Sequence, residues 1–263
     1  MAQRTVTMEE ALAEAARAGA EVVAQAGKLA AAGKKAVKAA EGGDLKALRQ
    51  ALASLVDLGD RAGQAAVAAE EGWAFPSEDA EEVYLNNGYQ QELLTVASEA
   101  QLGLYQLEGV LACFPSLVRI MPKERVVAID RKPYRFIRPS HLVRHLKEIQ
   151  TRPGKNNPTP FLESLYRAYA YSLASKKGSG RVASVAGIYR ILTLLPIARK
   201  DYTQQEFARD LYLLEESGVQ QTNSGATIRF HAATGTKSGN MLRVIGRNGR
   251  ERLYSSIEFV EPS

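Results

Sequence analysis

Residues 181–232 read RVASVAGIYRILTLLPIARKDYTQQEFARDLYLLEESGVQQTNSGATIRFHA. Val185, Ile188, Ile191, Leu192 and Leu195 recur at three- and four-residue spacing, which makes one apolar helical face. Pro196 lacks the amide proton that the helical ladder needs, so the helix is predicted to end there. A second helix is predicted from Thr203, an N-cap residue type, with Glu206 three positions on completing the T-x-x-E capping box. Phe207, Leu211 and Leu214 line its inner face, and Gly218 is a C-terminal stop. Asn223-Ser224-Gly225 then separates VQQT from ATIRF, a short hairpin signal.

Helix, proline-containing turn, helix and Gly-centred hairpin together resemble the winged-helix superfamily over residues 181–232. The resemblance implies a small domain whose second helix, in DNA-binding members, lies in the major groove. The charges argue against that use here. Residues 203–216 hold Glu206, Asp210, Glu215 and Glu216 against Arg209 alone. Attraction to phosphate is electrostatic, so a net-negative helix is a poor groove reader. The alternative is that this helix packs on protein.

The 263 residues suffice for one large or two to three small domains, and 45% hydrophobic content is ordinary for a globular chain. Cys113 is the only cysteine, which excludes an internal disulfide and suits a reducing compartment. No apolar run approaches the roughly 20 residues that span a bilayer. The opening MAQRTVTMEEALAEA has no apolar signal core. A cytoplasmic, non-membrane protein is expected.

Net charge is +5 but unevenly spread: residues 1–112 carry 9 Lys/Arg against 17 Asp/Glu. The acidic part is expected to meet protein or solvent, and the basic remainder a polyanion. A solvated charged surface is the plainer alternative.

Residues 7–41 read as one helix opened by a Thr7–Glu10 capping box. Met8, Leu12, Ala15, Gly19, Val22, Ala26, Leu29, Gly33 and Ala36 form a heptad seam of small residues. Gly42-Gly43 breaks it and Asp44 caps a second helix, with Leu45, Leu48, Leu52, Leu55, Gly59, Ala62, Ala66 and Ala69 as its seam. An antiparallel, coiled-coil-like helical hairpin is expected. Interior glycines weaken such helices, so the hairpin should bury another apolar edge on a partner or on its own body.

Trp73-Ala74-Phe75-Pro76-Ser77 is a junction, followed by a short acidic helix that Asn86-Asn87-Gly88 interrupts. LYQL, VLACF, LVRIM and VVAID then read as a four-strand meander. Cys113 falls inside it as a buried small hydrophobe, with no base nearby in sequence.

Residues 131–155 are the most basic run, with Arg131, Lys132, Arg135, Arg138, Arg144, Lys147, Arg152 and Lys155 against Glu148. Tyr134 and Phe136 alternate with arginines there, as in backbone binders, although aromatics on a strand more often pack a core. His141 and His145 are four apart on a predicted helix, but no third ligand is near, and no metal is expected. A linker, GKNNPTP, follows at 154–160. Residues 234–239, TGTKSG, fail the G-x-x-x-x-G-K-[ST] phosphate-loop pattern. MLRVIG and RLYSSIEFV flank an Asn248-Gly249 turn, a strong hairpin. A second basic cluster comprises Arg229, Lys237, Arg243, Arg247 and Arg250.

The expected architecture is α+β and mostly helical: a helical hairpin over 1–76, a mixed domain with a β-meander over 77–153, and a winged-helix-like domain with an extra β-hairpin over 154–263. No Ser/His/Asp arrangement, metal spacing or phosphate loop points to an enzyme, and no cofactor is expected. The favoured function is sequence-independent contact with the backbone of DNA or another nucleic acid through 131–155 and 229–252. Residues 7–71 would mediate association with a protein partner or with themselves. The alternative is a scaffold subunit of a chromosome-organising ATPase or defence complex, in which hairpin and winged helix both hold proteins.

Overall fold

A computed structural model describes residues 6–151, 157–174, 181–194, 202–231 and 241–262. The fold is α+β, with 58% of the described residues helical, and its largest sheet is five-stranded and antiparallel. The chain divides into two compact units, each assembled from separated segments. One comprises Met1–Val96, Ile120–Val126 and Arg135–Leu142; the other comprises Ala97–Arg119, Val127–Tyr134 and Val143–Ser263.

The first unit holds α1 (Met8–Gly42) and α2 (Leu45–Glu71). Thr7 and Glu10 form a reciprocal capping box, and Gly43 closes α1 at φ 71°, in the left-handed region that glycine enters without a Cβ clash. Asp44 Oδ1 accepts from Ala47 N at 2.9 Å and starts α2. The two helices pack together across this turn. The buried residues are Met8, Ala11, Ala32, Ala36 and Ala39 on α1 and Ala51 on α2. The heptad positions containing Met8, Val22 and Ala36 are the expected ones. The intervening position lies one residue earlier than expected: Ala11 and Ala32 are buried, whereas Gly19 and Ala26 are exposed. Alanine lets the backbones approach closely without the helix penalty of glycine.

Next come α3 (Glu78–Asn87), capped by Ser77, and α4 (Tyr89–Glu99). Leu85, Tyr89 and Leu93 are fully buried, and Trp73, Phe75 and Tyr84 form a chain of edge and tilted ring contacts. The Glu92 carboxylate accepts from Met8 N at 3.1 Å, Glu9 N at 2.7 Å and the Tyr84 hydroxyl at 2.8 Å. A carboxylate thus sits on the positive end of α1, where unpaired amides favour it. Glu9 in turn accepts from Ser140 N and Ser140 Oγ, each at 2.8 Å, and from Arg138 Nε at 2.7 Å. That places a second carboxylate at the start of α5 (Pro139–Thr151).

The five-stranded sheet runs β1 (Tyr105–Leu107), β2 (Val110–Cys113), β3 (Ser116–Met121), β4 (Val126–Ile129), β5 (Lys132–Tyr134), in that spatial order. The four expected strands are present, and β5 extends the meander into the basic run. Its turn is Asp130-Arg131, between the paired Ile129 and Lys132, with φ 47° and 70°. Two positive φ values are what a two-residue hairpin needs, and they cost strain in residues other than glycine.

The second unit also contains α6 (Thr159–Ala174), β6 (Ala183–Ser184), α7 (Val185–Leu192), α8 (Gln204–Ser217), β7 (Thr227–His231), β8 (Leu242–Ile245), β9 (Glu251–Tyr254) and β10 (Ser256–Val260). Helix α7 stops at Thr193, before Pro196, which lies outside the described residues. The Asn223–Gly225 turn carries a single bridge, Gln221 to Thr227; the main partner of β7 is β10, which lies between β6 and β7. Strands β8 and β9 pair around the Asn248-Gly249 turn. One core joins Leu162, Leu165, Val185, Ile188, Phe207 and Leu211 to Ile257 and Phe259 of the sheet.

Candidate nucleic-acid interface

Helix α8 is the place where a winged helix would read a groove. Thr203 and Glu206 form its capping box and Gly218 ends it at φ 71°. Phe207, Leu211 and Leu214 bury the inner face, as their spacing requires. The remaining faces are occupied by the same unit. Gln205 Nε2 donates to the Glu108 carbonyl at 3.2 Å. Arg131 Nε lies 2.9 Å from Glu206 Oε1. The Arg209 guanidinium pairs with Asp130 at 2.5 Å and with Asp210 at 2.9 Å, leaving its side chain only 15% exposed. The Tyr212 hydroxyl accepts from Arg247 N at 3.3 Å, and its ring meets Phe114 edge-on. Glu215 accepts from Arg252 and from the Tyr254 hydroxyl. Along α8 only Gln204, Glu216 and Ser217 are exposed.

Asp130 organises this docking. Its carboxylate accepts from Ser116 Oγ at 2.7 Å, Leu117 N at 3.1 Å and Arg209, while its own amide donates to Leu117 O at 2.9 Å. These bonds hold the strained Asp130-Arg131 turn against α8. Burial opposes the charge on Arg209, but the two carboxylates more than offset this, and its pKa is raised.

The basic residues fall into groups. Arg135 and Arg138 belong to the first unit; Arg138 is engaged by Glu9 and Arg135 is exposed. In the second unit, Arg131 pairs with Glu206, Arg243 with Glu251 at 2.5 Å, and Arg229 lies 3.7 Å from Glu258. Lys132 on β5, Arg144 and Lys147 on α5, and Arg247 and Arg250 at the β8–β9 turn are exposed and make no ion pair among the described residues. Arg152, Lys155 and Lys237 lie outside the described residues, as does the TGTKSG segment.

Two of these groups flank one feature, the short turn Phe114-Pro115 between β2 and β3. Gln150, in the last turn of α5, donates to the Phe114 carbonyl at 2.9 Å. The Arg247 guanidinium stands over the Phe114 ring, 5.3 Å from its centroid, a cation–π distance. The β8–β9 turn is pressed onto β1 there: Gly249 has φ 72°, and a Cβ on it would run into the Tyr105 hydroxyl. An open cleft of about 930 Å³ lies alongside, lined in part by Tyr105, Phe114, Gln150, Arg209 and Arg247. Sequence spacing could not reveal this convergence, because the contributing segments are far apart in the chain.

Cys113 is 1% exposed and accepts from Gln150 Nε2 at 3.5 Å. Burial, reinforced by the charge of Asp130, pushes its thiol pKa up to about 12. His145 stacks on Tyr134 with centroids 4.5 Å apart, and His141 lies beside Phe136. No group of three His, Cys, Asp or Glu side chains suited to a metal occurs among the described residues. No helix among them is long and apolar enough to cross a membrane.

No family model matches the chain, and no curated protein or solved structure does.

Proposed function

We propose that this chain is a non-enzymatic nucleic-acid-binding subunit that grips the phosphate backbone without reading sequence. In this reading the C-terminal region is a winged helix whose second helix serves as an internal packing element, and the N-terminal antiparallel helical hairpin mediates association. The single observation that carries it is the fate of α8. Gln205, Arg209 and Tyr212, the side chains that would meet base edges, are taken up by Glu108, Asp130 and the β8–β9 turn. Cations that make no ion pair among the described residues lie elsewhere, on β5, on α5 and at the β8–β9 turn. Support for the winged-helix reading comes from helices α6, α7 and α8 packed on a small sheet in which β10 returns between β6 and β7.

Point cations on exposed surfaces attract any phosphate chain, so affinity should depend on salt far more than on sequence. Fluorescence anisotropy of the full chain on two unrelated duplexes of equal length, at two salt concentrations, tests this. Near-equal affinities that fall steeply with salt are expected. Salt-insensitive binding, or strong preference for one duplex, overturns it.

A further inference from the structure

The α1–α2 pair carries a second apolar seam that its own packing leaves uncovered. On α1, every residue reached from Leu12 to Ala40 in steps of four and three is uncharged and apolar. This series runs beside the buried seam, one residue beyond Ala11, Ala32 and Ala39. On α2 the equivalent series runs from Leu45 to Glu70, and its only charged members are Arg49 and Glu70. The two series lie on the same side of the pair. Lys35, Lys38, Gln50 and Ser54 line a groove on the opposite side, and a Cβ on Gly33 would face Leu55. Val23, Val37, Leu45, Leu52 and Val56 all belong to the uncovered side and are 72%, 58%, 71%, 50% and 69% exposed. Of the large apolar side chains that α1 and α2 expose, all but Val67 lie on this side, and every lysine of α1 avoids it, which a solvated helix pair has no reason to do.

The geometry points to a second copy of this chain as the occupant, docked antiparallel so that two helix pairs make a four-helix bundle. This deepens the association role proposed above for residues 7–71 and rests on it. Charge argues for the orientation. Residues 28–54, around the turn, hold six Lys/Arg and two acids, whereas residues 7–27 and 55–71 hold two Arg and eight acids. Antiparallel docking lays each basic tip over an acidic base; parallel docking sets like charge on like. Side-chain size agrees. A two-fold axis beside Gly59 puts Arg49 of one copy opposite Glu70 of the other, and Val56 opposite Gly63. On α1, an axis beside Ala26 puts Val23 opposite Ala30 and Val37 opposite Ala16. In these apolar pairs large meets small, and Gly59 and Gly63, whose Cβ positions meet nothing within 4 Å, give room for close approach. Four to five heptads of two helices at about 1.5 Å per residue and about 10 Å per helix offer roughly 800–1,000 Å² per copy, enough for a stable dimer.

Sedimentation equilibrium of the full-length protein tests the proposal, with far-UV circular dichroism to confirm that each variant keeps its helices. The wild type should be a dimer at about 10 µM. Val56→Glu should weaken dimerisation at least ~100-fold, and Arg49→Glu or Glu70→Arg alone about 10-fold, because each pairing occurs twice in a two-fold interface. The exchanged pair Arg49→Glu with Glu70→Arg should return to within about threefold of wild type. Ser54→Glu, on the opposite side, should change nothing. A monomer at about 100 µM, or a dimer indifferent to Val56→Glu, overturns the proposal, and failure of the exchange to rescue overturns the antiparallel arrangement. The anisotropy experiment separates this from the nucleic-acid reading: a dimer that binds no duplex keeps this inference and sinks the other.

Discussion

The guanidinium of Arg209 and the carboxylate of Asp130 meet at 2.5 Å across 79 residues of chain, joining α8 to the strained β4–β5 turn. Removing one partner leaves a half-buried charge without its counterion. Arg209→Ala is expected to cost about 1–3 kcal/mol, less than the full value for a buried pair because Asp130 is 40% exposed. Urea unfolding of Arg209→Ala, Asp130→Ala and the double variant should give a coupling of roughly 0.5–3 kcal/mol. Arg209→Ala that keeps full stability yet loses duplex binding would restore α8 as the reading helix.

Charge reversal separates the free cations from the engaged ones. Arg144→Glu with Lys147→Glu, and separately Arg247→Glu with Arg250→Glu, should each lower the log–log salt slope of duplex binding by about one for every phosphate no longer neutralised. Arg243→Gln should matter less, because Glu251 already holds that side chain. Equal effects from all three variants would mean that ion pairing does not decide which residues reach phosphate.

Acid should loosen the start of α5. Burial raises the Glu9 pKa, but the Ser140 amide and hydroxyl and the Arg138 guanidinium outweigh it, and the net shift is downward. A carboxylate depressed in the folded state contributes stability above its unfolded pKa of about 4.3 and loses it as pH falls through the lower folded value. Glu9→Gln should therefore unfold at lower urea than wild type at pH 6, and the gap between the two midpoints should narrow as the pH falls below the unfolded value. Parallel curves across that range would remove Glu9 from the account.

Cys113 gives a direct readout of the sheet. With its pKa near 12, roughly one thiol in ten thousand is ionised at pH 8, and burial blocks approach. Iodoacetamide should label the native protein orders of magnitude more slowly than the urea-unfolded chain, with Ser116→Ala accelerating it by freeing the β2–β3 edge. Fast native labelling would contradict the burial.

Caps and breaks were legible in the sequence because they are local chemistry: Thr7 with Glu10, Gly43-Asp44, Thr203 with Glu206, and Gly249 all do what their residue types require. The seam of α1 was half legible. Ala11 and Gly19 both continue a heptad from Met8, and two adjacent apolar seams give the same periodicity; only packing shows which one α2 covers. Strand β5 was missed because Asp130-Arg131 is not a turn pair that favours positive φ. It holds that shape through Ser116, Leu117, Arg209 and Glu206, none of them neighbours in sequence. The docking of α8 was hinted at by its negative charge alone, since nothing in the spacing of Gln205, Arg209 and Tyr212 reports contacts made from Glu108, Asp130 and Arg247.

The carboxylate of Glu9 caps a helix whose Ser140 is 131 residues further along. During translation at about 5–20 residues per second, Glu9 leaves the ribosome roughly 7–26 s before its partner exists. Once Glu71 has been made α1 and α2 can pair, while α1 still lacks the Glu92 cap and α5 does not yet exist. The nascent helix pair therefore exists with one apolar side uncovered before the rest of its unit is made. If two copies pair through that side, their assembly can begin before either copy has finished folding.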